Sequence, residues 1–132
     1  MIVTNRPSYG ALSTNMKILL RLPKPPSANH LFATVGKRRV VSQQYKKWRT
    51  EAYAMLMVQR VALNGKPIGG RYRIECAIPR GKRRADLDNA YKSVSDALVA
   101  MGIVHDDSMA DDIRLRWSDD SKECEIIVEG LA

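Results

Sequence analysis

Leu87-Asp88-Asn89-Ala90-Tyr91-Lys92-Ser93-Val94-Ser95-Asp96-Ala97-Leu98-Val99-Ala100-Met101 is the stretch that decides the fold. Leu87, Tyr91, Val94, Leu98 and Met101 step by four, three, four and three, so they share one face of a helix that stops at Gly102. Upstream, Tyr72, Ile74, Cys76 and Ile78 alternate with Arg71, Arg73, Glu75 and Ala77, the period of a half-buried strand. Downstream, two strands are expected near Ile113–Trp117 and Cys124–Val128, joined by the polar turn Ser118-Asp119-Asp120-Ser121.

Further out, Ser42 is placed to cap a helix over about Gln43 to Leu63, with Tyr45, Trp48, Ala52, Met55, Leu56 and Ala62 on one stripe. Asn64-Gly65-Lys66-Pro67 ends it. Residues 31–42 read as a hairpin turning at Gly36-Lys37-Arg38, and Lys17–Leu22 as a strand closed by Pro23, Pro25 and Pro26. Residues 1–15 show no period and read as a flexible N-terminal extension, leaving 16–132 as the folded domain. The expectation is an α+β fold: one two-layer domain, a mixed β-sheet with helices packed against it.

At 132 residues and 45% hydrophobic content, the chain is the size of one core and is not a disordered basic tail. Lys and Arg number 22 against 14 Asp and Glu, and the net charge of +8 favours a polyanionic partner. No run approaches the roughly 18 apolar residues of a membrane span, and no secretory signal is evident. Cys76 and Cys124 are expected to be buried reduced thiols of a cytoplasmic protein rather than metal ligands. No P-loop, nucleophile elbow or zinc-spaced histidine pair occurs.

The chemistry gathers around Asp86-Leu87-Asp88-Asn89, directly behind the cationic run Arg80-Gly81-Lys82-Arg83-Arg84. Paired carboxylates repel, and a divalent cation relieves them by taking oxygen ligands from both. Each acid also has a plainer reading. Asp86 suits a helix start, Asp88 and Lys92 suit an i,i+4 ion pair, and Asp106-Asp107 suit a solvated turn beside His105. The coincidence of these acids with Arg80–Arg84 favours chemistry on nucleic acid.

Arg83-Arg84-Ala85-Asp86-Leu87-Asp88-Asn89, then Lys92, Asp96-Ala97-Leu98, Gly102 and Asp106-Asp107-Ser108, resembles the RusA-type Holliday-junction resolvases. Weaker similarity runs through Pro25-Pro26-Ser27-Ala28-Asn29 and Val40-Val41-Ser42. The resemblance implies a Mg²⁺-dependent endodeoxyribonuclease (Mn²⁺ a substitute) that acts as a homodimer on four-way junction DNA in recombination and repair. It also implies Asp86, Asp88 and Asp107 as catalytic metal ligands and Lys92 as a functional lysine. Asp106 and Asn89 are expected to support that site from behind. Arg80, Lys82, Arg83, Arg84, Lys37, Arg38 and Arg39 are expected to hold DNA phosphates. Two features depart from the pattern: Ala85 before Asp86, and Met109-Ala110 after the later acids. The alternatives are a non-catalytic branched-DNA-binding protein and a nuclease for another branched DNA.

Overall fold

Alternation and helical period produce the elements, and pairing then sets their order. The computed structural model describes residues 2–7, 14–26 and 32–131. Strands β1 (Ile2–Pro7), β2 (Thr14–Pro23), β5 (Tyr72–Pro79), β6 (Ala110–Ser118) and β7 (Glu123–Gly130) form one mixed sheet in the order β1-β2-β7-β5-β6. Strands β3 (Phe32–Val35) and β4 (Arg38–Val41) form a separate two-stranded hairpin turning through Gly36 at φ 62°. Among the described strands, β5 and β6 pair parallel and the other strand pairs are antiparallel.

Register stacks apolar side chains on one face. Ile18 pairs with Val128, Leu20 with Ile126 and Leu22 with Cys124, while Ile74 and Cys76 take Val128 and Ile126 from the other side. All of these are buried, and the two cysteines are free thiols, as expected. The opposite face carries ion pairs, Arg73–Asp112 and Arg114–Glu75. The sheet is therefore half solvated, and both helices cover its apolar side.

Helix α1 (Gln43–Gln59) starts where the Ser42 hydroxyl accepts from the Tyr45 N–H (3.1 Å) and buries Trp48, Ala52 and Leu56. It runs into a 3₁₀ turn, Arg60–Leu63, that ends at left-handed Asn64. Its Gln59 amide both accepts from the Arg21 N–H and donates to the Arg21 carbonyl, each at 2.8 Å. Among the described residues, β1 pairs with β2 as far as Leu19, and beyond that point this amide bonds the β2 backbone as a strand would.

Helix α2 (Arg84–Ala100) buries Ala90, Val94, Ala97 and Leu98, with Leu87, Tyr91 and Met101 packed at the margin. It joins β5 to β6 as a β-α-β unit. The α+β, single-domain expectation holds. Two local expectations change. Of residues 1–15, read as an extension, 2–7 form β1 against β2, and 8–13 lie outside the described residues, as do Ser27-Ala28-Asn29. Helix α2 starts at Arg84 rather than at Leu87. Strands β6 and β7, joined by the polar turn, are not neighbours, because β5 lies between them.

Candidate active site and nucleic-acid interface

The chain leaves β5 at Pro79, turns through Arg80–Arg83 and enters α2 at Arg84, three residues before the apolar stripe begins. Asp86 and Asp88 are therefore both helical. Two residues of helix separate side chains by about 200°, so these carboxylates point to different sides. Asp86 accepts from the Arg83 backbone N–H (3.2 Å), the role of a first-turn acid that gives a helix-start N–H its acceptor. Asp88 and Lys92 are exposed one turn apart, and among the described residues they form no ion pair.

Asp107 begins a 3₁₀ turn, Asp107–Met109, whose cap is Asp106; the Ser108 N–H donates to the Asp106 carboxylate at 3.0 Å. That backbone bond holds Asp106 below the usual carboxylate range. Asp107 is raised, chiefly by its hydrogen bond with Asp106, then by desolvation and the charges of Asp106 and Asp96. The buried Tyr72, pushed up to about 12 by burial, also senses Tyr91, Asp107 and Asp106.

Parallel pairing dictates the separation. Ala110 lies beside Tyr72 at the start of β5, whereas Ser118 lies beside Pro79 at its end. Seven steps of strand at about 3.3 Å place those ends roughly 23 Å apart. Asp107 stands at the first end and Asp86 near the second, so the convergence expected from sequence does not occur within one chain. Among the described residues no group of three or more His, Cys, Asp or Glu is placed to hold a metal. A hard divalent cation wants six or more oxygens. The donor chemistry fits, but one chain holds the donors apart: Asp86 and Asp88 on different sides of α2, and Asp107 at the far end of β5.

The cations flank the first half. Arg80 grips Asp119 (2.6 and 3.2 Å), which draws Asp119 down, whereas Lys82 and Arg83 are exposed and make no ion pair among the described residues. The Arg84 side chain lies outside the described residues. Lys37, Arg38 and Arg39 project on the exposed β3–β4 hairpin, Arg39 lying 4.2 Å over the Phe32 ring. This hairpin, Tyr45 and Arg49 face Asn89, Lys92 and Asp96 across a cleft of about 300 Å³. A larger cleft, about 610 Å³, opens between Lys24-Pro25-Pro26 and the Arg80–Arg83 turn, with Asp86 and Trp117 on its walls. Sequence reading missed Trp117 and Gly81. Alternation alone signalled an inward Trp117, and nothing local signalled the contact.

The family model described as Endodeoxyribonuclease RusA matches residues 23–129. The chain belongs to the RusA family. The crossover junction endodeoxyribonuclease of Enterobacteria phage HK97 is 32% identical over 96 residues, covering 71% of this chain and 77% of the relative. That of Escherichia coli K12 is 33% identical over 96 residues (73% and 78%), and that of Enterobacteria phage 82 is 31% identical over 96 residues (73% and 78%). The RusA match begins at Pro23 and ends within β7, so it includes both helices and both acidic segments. Membership bears out the resemblance drawn from residues 83–108. Among the described residues, no helix is long and apolar enough to cross a membrane.

Proposed function

We propose that this RusA-family chain resolves four-way DNA junctions by paired phosphodiester hydrolysis, as a Mg²⁺-dependent homodimer serving recombination and repair. The observation that carries the reading is an acid-bearing helix start, Asp86 and Asp88, set beside Lys82 and Arg83, which make no ion pair among the described residues. A protein that only clamps polyanions gains from carboxylates there no more than the helix-start bond of Asp86, and Asp88 adds nothing to the clamp.

Because Asp107 stands at the far end of β5 from Asp86, the reading assigns each site to two protomers. A two-fold axis brings the Asp107 end of one copy to the Asp86–Asp88 end of the other, and the same axis matches a symmetric junction. Asp86, Asp88 and Asp107, drawn from two protomers, would hold Mg²⁺ (or Mn²⁺ in its place), which would supply Lewis acidity at the scissile phosphate and lower the pKa of water so that hydroxide is available as the nucleophile. Lys92 balances the charge that builds on the phosphoryl oxygens, while Asn89 and Asp106 orient their neighbours. Lys82, Arg83 and Arg84, with Lys37, Arg38 and Arg39 on the hairpin, hold backbone phosphates without reading bases, so affinity falls steeply as salt rises.

The test is a labelled four-way junction with Mg²⁺ or EDTA, beside a flap and plain duplex. Paired nicks in the junction are expected in Mg²⁺ only, and Asp88→Asn is expected to bind without cutting. Mixing Asp88→Asn with Asp107→Asn chains probes the shared site. If sites span two protomers, the mixed dimer keeps one intact site and nicks one strand; if each site lies within a chain, the mixture stays inactive. Wild-type cutting by Asp88→Asn would defeat the assignment. The helix-start role of Asp86 favours one rival, a non-catalytic junction binder, which predicts binding with no Mg²⁺-dependent product.

A further inference from the structure

The cleft of about 610 Å³ beside Asp86 has the build of a nucleotide site rather than a phosphate groove. Its floor is apolar, made by buried Ile78 and Ala90, and buried Pro25 forms part of one wall. Half-buried Trp117 supplies an indole to the lining. The cations Lys82 and Arg83 stand exposed on the same cleft. A site for phosphates alone needs only the cations, whereas apolar floor and indole together suit a base.

The walls are braced before any ligand arrives. The Lys24 ammonium donates to the Arg80 carbonyl (3.1 Å), tying the proline segment to the turn. The Arg80 N–H donates to the Ser118 carbonyl (3.1 Å), tying the turn to β6 beside Trp117. Behind them the Trp48 indole N–H donates to the Pro23 carbonyl (2.7 Å). Gly81 sits so close to the Trp117 ring that a Cβ there would lie 2.9 Å from ring atom Cη2. The indole therefore has a fixed seat.

We infer that this cleft receives one unstacked nucleotide of the DNA strand, its base against Trp117 and its phosphate between Asp86 and the Lys82–Arg83 pair. The inference rests on the proposed action on branched DNA. A base paired and stacked within duplex cannot also stack on an indole, whereas the branch point of a junction has the least stacking to lose. Stacking on an aromatic ring is tolerant of sequence, because every base has a π-face. The occupant is thus a nucleotide of any base, and the consequence is structure selectivity: only DNA that can release a base brings its phosphate to Asp86.

The experiment uses full-length protein in EDTA, so that no strand is cut, with four-way junctions carrying 2-aminopurine at the branch point. Trp48 is only 4% exposed, so a DNA-induced change in tryptophan emission reports Trp117. Wild type is expected to show emission quenched by the junction, and Trp117→Phe to bind within about threefold of wild type without that quench. Trp117→Ala is expected to weaken junction binding by about 5- to 100-fold while leaving duplex affinity unchanged. 2-Aminopurine should brighten on binding to Trp117→Ala and dim when the indole is present. Junction binding with unaltered tryptophan emission, or equal affinity for Trp117→Ala, overturns the nucleotide site and leaves the proposed function standing. Failure of wild type to bind junctions at all overturns that function instead. If Trp117→Ala proves unfolded by circular dichroism, the emission comparison between wild type and Trp117→Phe decides alone.

Discussion

Gly81→Ala joins fold and site in one perturbation. The added Cβ would lie 2.9 Å from Trp117 Cη2 and 3.3 Å from both Trp117 Cζ3 and Asp86 Cβ. Carbon atoms settle at about 3.5–4.0 Å, so the ring must retreat by roughly 0.6–1 Å. It has little room to do so. Trp117 lies on β6, packed against the core, and the turn is held to β6 by the Arg80–Ser118 backbone bond. Overpacking a site of this kind costs about 1–3 kcal/mol. Urea denaturation should show that loss as a lower midpoint with an unchanged slope. In a Trp117→Phe background the six-membered indole ring that supplies Cη2 and Cζ3 is gone, and the same alanine should cost less than about 0.5 kcal/mol. The double-mutant cycle should then give a coupling of about 0.5–3 kcal/mol. An equal cost in both backgrounds, or none in either, refutes the claim that glycine is needed for contact with the indole.

Other outcomes follow from single contacts. Gln59→Ala should lower stability by about 0.5–1.5 kcal/mol, measured by urea denaturation, because it strips both bonds from the open edge at Arg21. Tyr72→Phe should leave stability equal or higher, since the Tyr72 hydroxyl is buried with no hydrogen-bond partner among the described residues; a clear loss of thermal midpoint would argue for a hidden partner. Burial pushes the Cys124 thiol up to about 12 and Cys76 higher still. Native protein at pH 8 should therefore react with a thiol reagent only as fast as it unfolds. The same raised values set a pH trend. Unfolded thiols titrate near 8.5, so their contribution is complete below that pH and is lost above it, by at most about 1.4 kcal/mol per pH unit for each thiol. Denaturation midpoints at pH 8, 9 and 9.5 should fall in wild type and fall less in a Cys76→Ala/Cys124→Ala variant.

The elements that could be read in the sequence are those whose signal is local. The stripe from Leu87 to Met101 gave a helix because burial of one face imposes its period. Tyr72 to Ile78 gave a strand for the same reason at period two. Ser42 capped α1 as its side-chain chemistry requires. The start of α2 was misplaced because Arg84 and Ala85 continue a helix without contributing to an apolar stripe. β1 was missed because its pattern carries no period, and its pairing with β2 is a long-range event.

What the chain determined by itself was its chemistry: oxygen donors Asp86, Asp88, Asp106 and Asp107, a surplus of cations, two thiols bound for the core, and the motif of its family. What only tertiary structure decided was where those groups stand. Inserting β7 between β2 and β5 and pairing β6 parallel to β5 set Asp107 at one end of the sheet and Asp86 at the other. Strand order and direction depend on which apolar faces bury one another across the whole domain, a global condition that no run of residues encodes alone. That same condition brought Trp117 against Gly81, from segments far apart in the chain, and opened the cleft beside Asp86.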